Sequence, residues 1–283
     1  MRLLHGRPLG EALNASTRER IATLQASGVR PAVAIVSVGI DPAASTYQER
    51  LAKSGKQLGI DVRVDPLPSG ASAADLDTRL RALSADRDVH GILLLTPLPA
   101  GLDERHAVEQ IAPEKDIEGM HPKNAGLLAA GHPRFVPSTA EAVIELLRFH
   151  GVNMRGAKAT VVGRSPVVGK PAAALLLRED ATVTIAHSKT PDVGAMTRAA
   201  SIVVVAVGRA GFLTGDMLSP GATVIDAGIN VTPSGIVGDV DVASVSAVAD
   251  ALSPVPGGLG AVTTALMLRN VVTAAEEQVE VKR

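Results

Sequence analysis

A glycine turn near the middle of the chain has the composition of a phosphate-binding site. The apolar run 159–162 predicts a short buried strand, and the alanine- and leucine-rich run 172–177 predicts a helix. The turn between them reads Gly163-Arg164-Ser165-Pro166-Val167-Val168-Gly169-Lys170-Pro171. Backbone N–H groups and the positive end of a helix dipole meet at such a turn, and both favour a phosphate. Because Ser165 replaces the second glycine of a G-x-G-x-x-G motif, an ordinary strand–helix turn is the alternative.

The residues that follow the second predicted strand favour NADP over NAD. Rossmann sites for NAD usually carry an acidic residue at this strand end, roughly 20 positions after the glycine turn. Here the strand Thr182–Ala186 ends in His187-Ser188-Lys189-Thr190, which contains no carboxylate. Arg164 and Ser165, together with the donors at this strand end, suit a 2′-phosphate that a carboxylate would repel. His187 is either a cofactor contact or a solvated residue.

The composition is that of a globular protein with one large domain or two modest ones. The 283 residues are 46% hydrophobic and 20% charged, with a formal net charge of −1, so no nucleic-acid partner is expected. The absence of cysteine excludes disulfides and cysteine-ligated metals, and no metal site is predicted. No apolar run reaches the ~20 residues of a membrane helix, and the first residues lack an apolar signal core. We therefore expect a cytoplasmic protein without a membrane partner.

Strands and helices alternate along the whole chain, which indicates parallel sheets with right-handed crossovers. In the first half, helices are predicted at 11–25, 43–58, 72–83 and 103–111, and strands at 32–38, 60–64 and 91–95. A connecting segment rich in glycine and proline is predicted at 112–139. In the second half, helices are predicted at 140–150 and 262–277, and further strands at 201–207 and 222–226.

The predicted fold class is therefore α/β, with two α/β domains and a cleft between them. The first domain is expected to comprise 1–139 plus 262–283, because the terminal helix can pack back on the first half. The second, 140–261, is expected to be a Rossmann-like NADP-binding domain.

Loop motifs throughout the chain resemble those of the FolD family, the bifunctional methylenetetrahydrofolate dehydrogenases/methenyltetrahydrofolate cyclohydrolases. In the first half these motifs are Val38-Gly39, Asp41-Pro42-Ala43, Tyr47, Gly91-Ile92-Leu93, Pro97-Leu98-Pro99, Lys115-Asp116, Gly119 and His121-Pro122. In the second half they are Gly163-Arg164-Ser165, Val168-Gly169-Lys170-Pro171, His187-Ser188-Lys189-Thr190, Ala206-Val207-Gly208, Gly211-Phe212, Val224-Ile225-Asp226, Gly228-Ile229-Asn230, Gly238-Asp239-Val240 and Pro254-Val255-Pro256-Gly257-Gly258.

The resemblance implies hydride transfer from a methylene group on a reduced folate to the nicotinamide, followed by attack of water on the resulting methenyl cation. It implies NADP as the cofactor, a reduced folate or related small molecule as the substrate, and a homodimer formed through the cofactor half. The implied cofactor contacts are Gly163, Arg164, Ser165, Val168, Gly169, His187, Ser188, Gly208 and Ile229. The implied substrate contacts are Tyr47, Glu118, Pro256, Gly257 and Gly258.

The chain departs from the family pattern at the folate end. The family tyrosine is followed four positions later, one helical turn along, by a lysine, whereas Tyr47 is followed by Leu51. Leu95 stands where the family has a glutamine beside that lysine. Glu118 replaces an aspartate at the edge of the pterin, and Ala261-Val262 replaces the Pro-Met after the Pro-Gly-Gly loop.

These departures predict a change in the chemistry at the catalytic positions, which are Tyr47, Leu51, Leu95 and Glu118. A leucine neither activates water nor carries a charge, and losing lysine and glutamine together leaves neither of them unpaired. Arg50 lies on roughly the same face as Tyr47, but a guanidinium is a poor proton shuttle.

The sequence thus predicts an NADP-dependent methylenetetrahydrofolate dehydrogenase whose cyclohydrolase activity is weak or lost. Two alternatives remain open. One is a paralogue that acts as an NADP-dependent oxidoreductase on another small molecule, and the other is a protein that binds NADP or folate without turnover. Drift in a redundant copy would also account for the departures.

Overall fold

The computed structural model describes residues 1–39, 42–233 and 235–280, with side chains except at 42–47 and 280. It divides into two compact units. The six-stranded unit consists of Met1–Glu11, Leu128–His132 and Pro137–Thr263, and the three-stranded unit consists of Ala12–Leu127, Pro133–Val136 and Thr264–Arg283. The predicted two-domain α/β fold is confirmed. Residues 1–11, which the sequence analysis placed in the first domain, group with the six-stranded unit.

The helices and strands follow one another as predicted, with several short additions. In the first half they are β1 (Arg2–Leu3), α1 (Arg7–Ala26), β2 (Ala32–Val38), α2 (Pro42–Leu58), β3 (Asp61–Leu67), α3 (Ala73–Ala85), β4 (Gly91–Leu94), α4 (Glu104–Val108) and α5 (Pro122–Ala129). In the second half they are α6 (Ser138–Phe149), β5 (Lys158–Val162), α7 (Gly169–Arg178), β6 (Thr182–Ala186), α8 (Val193–Arg198), β7 (Ile202–Val205), a 3₁₀ turn (Gly215–Met217), β8 (Thr223–Asp226), β9 (Asn230–Thr232), β10 (Gly235–Val237), α9 (Val242–Val245), β11 (Ala251–Leu252) and α10 (Gly260–Glu280).

The three-stranded unit has a parallel sheet in the order β3-β2-β4. Its central strand β2 is apolar and buried along most of its length, as expected for a parallel strand covered on both faces. The helix α3 begins after Ser72, whose hydroxyl accepts from the Asp75 amide while the Asp75 carboxylate accepts from the Ser72 amide. This reciprocal capping box satisfies two backbone donors at the helix start.

The terminal helix α10 supplies part of the core of the three-stranded unit. Met267, Leu268, Val271 and Val272 belong to the same buried apolar cluster as Val33 and Ile35 of β2 and as several residues of α1 and α2. The side chain of Arg20 on α1 donates to Thr273 and Glu276 on α10, at 2.7 Å to the threonine hydroxyl.

The six-stranded unit has a parallel sheet in the order β1-β11-β8-β7-β5-β6. Several short elements of this unit were absent from the prediction. They are the edge strand β1, its neighbour β11, the antiparallel hairpin β9–β10 and the helices α8 and α9. Strands of two or three residues are too short to show a period of two in the sequence, and β1 and β11 in addition pair with residues distant in the chain. Among the described residues, no helix combines the length and the apolar content needed to cross a bilayer.

The predicted connecting segment 112–139 is partly wrong, because it contains the helix α5. This helix has eight residues, fewer than the 11-residue window over which a helical period becomes recognisable. Asn124 fixes it from within, since its buried amide donates to the Pro113 carbonyl at 2.9 Å and to the Asp116 carboxylate at 2.8 Å.

Candidate functional site

The glycine turn between β5 and α7 has a backbone that only glycine permits at two positions. Gly163 has φ +126°, and a Cβ there would lie 2.3 Å from the carbonyl oxygen of Ala206. A Cβ at Gly169 would lie 2.3 Å from the carbonyl oxygen of Gly163. The hydroxyl of Ser165 accepts from the amides of Val168 and Gly169, at 3.1 and 3.3 Å. With both lone pairs occupied, this hydroxyl keeps its own hydrogen to donate to a ligand.

Parallel pairing of β5 with β6 brings the glycine turn next to the segment that follows β6. The Gly163 amide donates to the Ala186 carbonyl at 2.8 Å, one residue before His187. The Nδ1 atom of His187 accepts from the Lys189 amide at 3.2 Å. In the neutral ring the remaining hydrogen is therefore on Nε2, which becomes a donor. Two of the predicted cofactor segments are thus adjacent at the carboxyl end of the sheet.

The side chains around this end of the sheet are cationic or hydroxylic. Arg164, Lys170, Ser188 and Lys189 are exposed, and Arg164 forms no ion pair with any residue that the structure describes. Exposed cations beside a helix N-terminus suit a phosphate ester.

Two further loops that carry predicted cofactor contacts meet at the buried carboxylate of Asp239. This carboxylate accepts from the amide of Gly208 at 2.9 Å and from the side-chain amide of Asn230, which follows Ile229, at 2.9 Å. Asp239 was only one residue of a family motif in the sequence analysis, which assigned it no role. Its signal in the sequence was weak, because Asp239 and Asp241 both stand within a small and apolar segment.

A second carboxylate, that of Asp226, supports the first. It accepts from the amides of Gly228, Asp239 and Val240 at 2.9, 2.9 and 3.0 Å. Burial raises the pKa of Asp226 above its usual value, and the three backbone donors oppose that shift because they favour the charged form.

The Pro-Gly-Gly loop rests on the N-terminal segment of the chain. The Gly6 amide donates to the Gly257 carbonyl at 2.9 Å, and a Cβ at Gly6 would lie 2.1 Å from the Gly258 carbonyl oxygen. The Gly258 amide in turn donates to the Pro254 carbonyl at 2.7 Å, and the peptide bond before Pro256 is cis. Sequence reasoning missed Gly6, since nothing local to it indicates a contact with residues about 250 positions away.

The two leucines that were predicted to replace a family lysine and glutamine belong to one buried cluster in the three-stranded unit. Leu51 is 1% exposed and Leu95 is 9% exposed. Both belong to the same apolar cluster as Ile117 and Phe135. Glu118 follows Ile117 and is half-buried. Tyr47 lies on α2, but its side chain is outside the described residues.

The lysines near these leucines in the sequence lie on the surface or are hydrogen-bonded to the backbone. Lys53 and Lys56 are exposed on the outer face of α2, where they line an open groove of about 510 Å³ with Glu49, Ala52 and Gln57. Lys115 is buried, but its Nζ donates to the carbonyls of Leu83 and Asp86 at 3.3 and 2.6 Å. These contacts place its amine at the end of α3.

Comparison with protein families matches almost the whole chain. Residues 4–118 match the catalytic domain of tetrahydrofolate dehydrogenase/cyclohydrolase, and residues 137–279 match its NAD(P)-binding domain. The chain is 49% identical over 278 residues to the bifunctional protein FolD of Roseiflexus sp. (strain RS-1), which covers 98% of this chain and 96% of that protein. It is also 49% identical over 274 residues to the bifunctional protein FolD of Nocardia farcinica, covering 96% of this chain and 97% of that protein.

Solved structures give the same result. The bifunctional FolD methylenetetrahydrofolate dehydrogenase/cyclohydrolase of Campylobacter jejuni has a TM-score of 0.96 at 37% identity, covering 98% of this chain and 99% of that one. The Trypanosoma brucei enzyme, solved with NADP and an inhibitor, has a TM-score of 0.92 at 34% identity, covering 98% of both chains. The chain therefore belongs to the FolD family of tetrahydrofolate dehydrogenases/cyclohydrolases, and residues 137–279 are its NAD(P)-binding domain.

Proposed function

We propose that this protein is an NADP-dependent 5,10-methylenetetrahydrofolate dehydrogenase of one-carbon metabolism whose methenyltetrahydrofolate cyclohydrolase activity is weak or lost. The main support is the burial of Leu51 and Leu95 in one apolar cluster, in a chain whose cofactor segments keep the family pattern. The T. brucei relative, which was solved with NADP, supports the choice of cofactor.

The residues of the six-stranded unit would bind and orient the cofactor. The guanidinium of Arg164 and the free hydrogen of the Ser165 hydroxyl would bind the 2′-phosphate, with His187 and Ser188 beside them. The turn from Gly163 through Val168 to Gly169 would allow the pyrophosphate to approach the backbone. NADP, when bound, supplies the hydride acceptor, so the protein contributes orientation and electrostatics to this step.

On the substrate side, Tyr47 would lie against the folate ring and Glu118 would accept hydrogen bonds from the pterin edge. Pro256, Gly257 and Gly258 are the other proposed substrate contacts. Hydride transfer depends chiefly on the orientation of the two reacting carbons, which these contacts supply without an acid–base group.

Attack of water on the methenyl cation needs a proton acceptor, because the water must lose a proton. Neither Leu51 nor Leu95 has a lone pair to accept it, and the amine of Lys115 is bound to two carbonyl oxygens. We therefore expect the dehydrogenase step to proceed and the hydrolytic step to be slow.

The direct test is to follow NADPH and the methenyl product by absorbance after adding methylenetetrahydrofolate and NADP. We expect both to appear in equal amounts, and the methenyl product to decay no faster than in buffer without protein. Enzyme-catalysed decay as fast as the formation of NADPH would refute the proposal that this activity is weak or lost. Tight NADP binding without reduction would instead favour a different small-molecule substrate or a binding protein without turnover.

The family resemblance also supports a homodimer formed through the six-stranded unit, and a cytoplasmic location. Light scattering of the purified protein tests the first expectation, with the mass of two 29.0 kDa chains as the expected result.

A further inference from the structure

We infer that Asp239 is a positioning residue for the cofactor, because its buried carboxylate holds together the two loops that carry Gly208 and Ile229. The inference rests on the proposed function, since it takes NADP to be the ligand of these loops. It gives a role to the Gly238-Asp239-Val240 motif, to which the proposed chemistry assigns none.

Asp239 is 0% exposed, and both oxygens of its carboxylate accept two hydrogen bonds each. Its Oδ2 accepts from the amides of Val207 and Gly208 at 2.6 and 2.9 Å. Its Oδ1 accepts from the Arg209 amide at 2.8 Å and from the Asn230 side chain at 2.9 Å. Three consecutive amides after β7 and the first residue of β9 are therefore fixed to one carboxylate.

These four donors are neutral, and no described lysine, arginine or histidine forms an ion pair with Asp239. A buried carboxylate is stable only while its lone pairs are satisfied, and four donors fill the roughly four sites that it has. Movement of either loop would leave a buried charge short of donors. The two loops are therefore held in one conformation before a ligand arrives, which lowers the entropy lost on binding.

Two glycines of the adjacent backbone leave room for this carboxylate and for that of Asp226. A Cβ at Gly228 would lie 2.3 Å from the Asp239 carboxyl carbon, and a Cβ at Gly238 would lie 1.9 Å from Asp226 Oδ2. The Ser253 hydroxyl accepts from the Asp226 amide at 2.8 Å, just before the Pro-Gly-Gly loop. The carboxylates therefore link the ends of β7, β8, β10 and β11.

The position of the loops distinguishes a binding role from mere support of the fold. Gly208 and Arg209 are exposed and Ile229 is 70% exposed, although their common anchor is fully buried. They follow the carboxyl ends of β7 and β8, and nucleotides bind beyond these ends in Rossmann-like sheets. A rigid base with exposed tips is the arrangement expected of ligand-binding loops.

The test is Asp239→Asn, with NADP affinity measured by calorimetry and folding checked by circular dichroism. An amide offers only one acceptor oxygen, so at least two of the four donors would face an NH₂ group. We expect the NADP dissociation constant to rise at least tenfold, which is about 1.4 kcal/mol, with the KM for methylenetetrahydrofolate changed less than twofold. A purely structural role would lower the folded fraction but leave the affinity of that fraction unchanged.

Asp241→Asn is the matched control. Asp241 lies two residues away, and its carboxylate accepts from the Ser244 hydroxyl at 2.9 Å. This variant should bind NADP as the wild type does. If Asp239→Asn does not fold, Asn230→Ala decides the question, because it removes one donor and leaves three. We expect three- to tenfold weaker binding for Asn230→Ala.

The outcomes separate this inference from the proposed function. Wild-type protein without NADP affinity would refute the proposed function. If the wild type binds NADP and folded Asp239→Asn binds it within twofold of the wild-type affinity, only the positioning role is wrong. If Asp239→Asn does not fold, NADP binding by Asn230→Ala within twofold of the wild-type affinity would likewise refute only the positioning role.

Discussion

Leu51 and Leu95 are the residues at which the sequence resemblance predicts the largest chemical departure from the FolD pattern. A lysine and a glutamine placed there would be polar groups in an apolar cluster, where each needs the other as a partner. Replacement of both by leucine, whose side chain is shorter than either, places apolar atoms there and leaves no polar group without a partner. We therefore expect the fold to accept either pair of side chains. The expected effect of the two leucines is the loss of a group that can accept a proton.

We predict that Leu51→Lys combined with Leu95→Gln increases cyclohydrolase activity, because it returns an amine with a hydrogen-bonding partner to this cluster. The measurement is the rate of methenyltetrahydrofolate decay. Leu51→Lys alone leaves the buried charge uncompensated and should lower the unfolding free energy by about 3 kcal/mol. Leu51→Met with Leu95→Met is the control, since it conserves volume without adding a base. An unchanged decay rate in a folded double variant would contradict this prediction.

Arg164 should determine the preference for NADP over NAD. Removing a charge-assisted hydrogen bond costs about 1.5–3 kcal/mol, so Arg164→Ala should weaken NADP binding by roughly 10- to 100-fold and leave NAD binding nearly unchanged. Calorimetry with both nucleotides measures this. Arg178→Ala, at the other end of α7, removes another exposed arginine as the control. Equal losses for NADP and NAD would argue against a 2′-phosphate contact.

Asp226 should make the stability of the protein depend on pH. Because burial raises its pKa in the folded state, the folded chain retains this proton at pH values where the unfolded chain, with a pKa of about 4, has lost it. The unfolding free energy therefore falls as pH rises from about 4 to the folded-state pKa, and this contribution is constant above it.

Urea unfolding of the wild type and of Asp226→Asn between about pH 4 and 7 isolates this contribution, because the other groups cancel in the difference. We expect the wild-type stability relative to the variant to decrease with rising pH and then to level off. A difference that increased with pH would mean that the backbone donors to the carboxylate outweigh its burial.

At the scale of elements, the N-terminal segment is a support for the Pro-Gly-Gly loop. The strand β1 pairs with β11, and Gly6 then lies against the loop that follows β11. The 2.1 Å approach that a Cβ at Gly6 would make to a carbonyl oxygen is far below any real contact, so the loop would have to move.

We predict that Gly6→Ala raises the KM for methylenetetrahydrofolate severalfold and changes the NADP dissociation constant less than twofold. The reason is that the Pro-Gly-Gly loop is a proposed substrate contact, whereas the glycine turn after β5 is untouched. Steady-state kinetics and calorimetry provide the two values. Gly70→Ala is the control, because a Cβ there meets nothing within 4 Å. If NADP affinity fell as much as substrate affinity, the effect would be a general loss of folding.

At the scale of the whole molecule, the chain is two units, each with its own apolar core. The cluster around Val33 and Leu51 belongs to the three-stranded unit, and the cluster around Val203 and Val224 belongs to the six-stranded unit. The helices α1 and α10 each contribute residues to both units, so the backbone passes between them repeatedly.

A ligand that binds only the folded NAD(P)-binding domain should stabilise that domain by mass action. NADP at 100 times its dissociation constant should add about 2.7 kcal/mol to the unfolding free energy, and NAD at the same concentration should add much less. Urea unfolding with each nucleotide measures the difference. Equal stabilisation by the two nucleotides would contradict the predicted preference for NADP.

Local patterns in the sequence were sufficient for much of the fold. The strands Ala32–Val38 and Thr182–Ala186 lie at the predicted residues, because their apolar runs end at glycine or polar residues. The helix predicted at 72–83 begins directly after Ser72, whose hydroxyl accepts from an amide only three residues away. The helix α5 was missed because it is short, and β1 because its partner is about 250 residues distant.

The sequence by itself determined what chemistry is available. It shows that the four residues after β6 contain no carboxylate and that leucines stand at positions 51 and 95, since these statements concern only residue type and order. Only the tertiary structure decided that Asp239 joins the loops of Gly208 and Ile229, and that Gly6 supports Gly257 and Gly258. Such contacts join residues from nine to about 250 positions apart, and chain folding, which no local period or spacing records, brings them together.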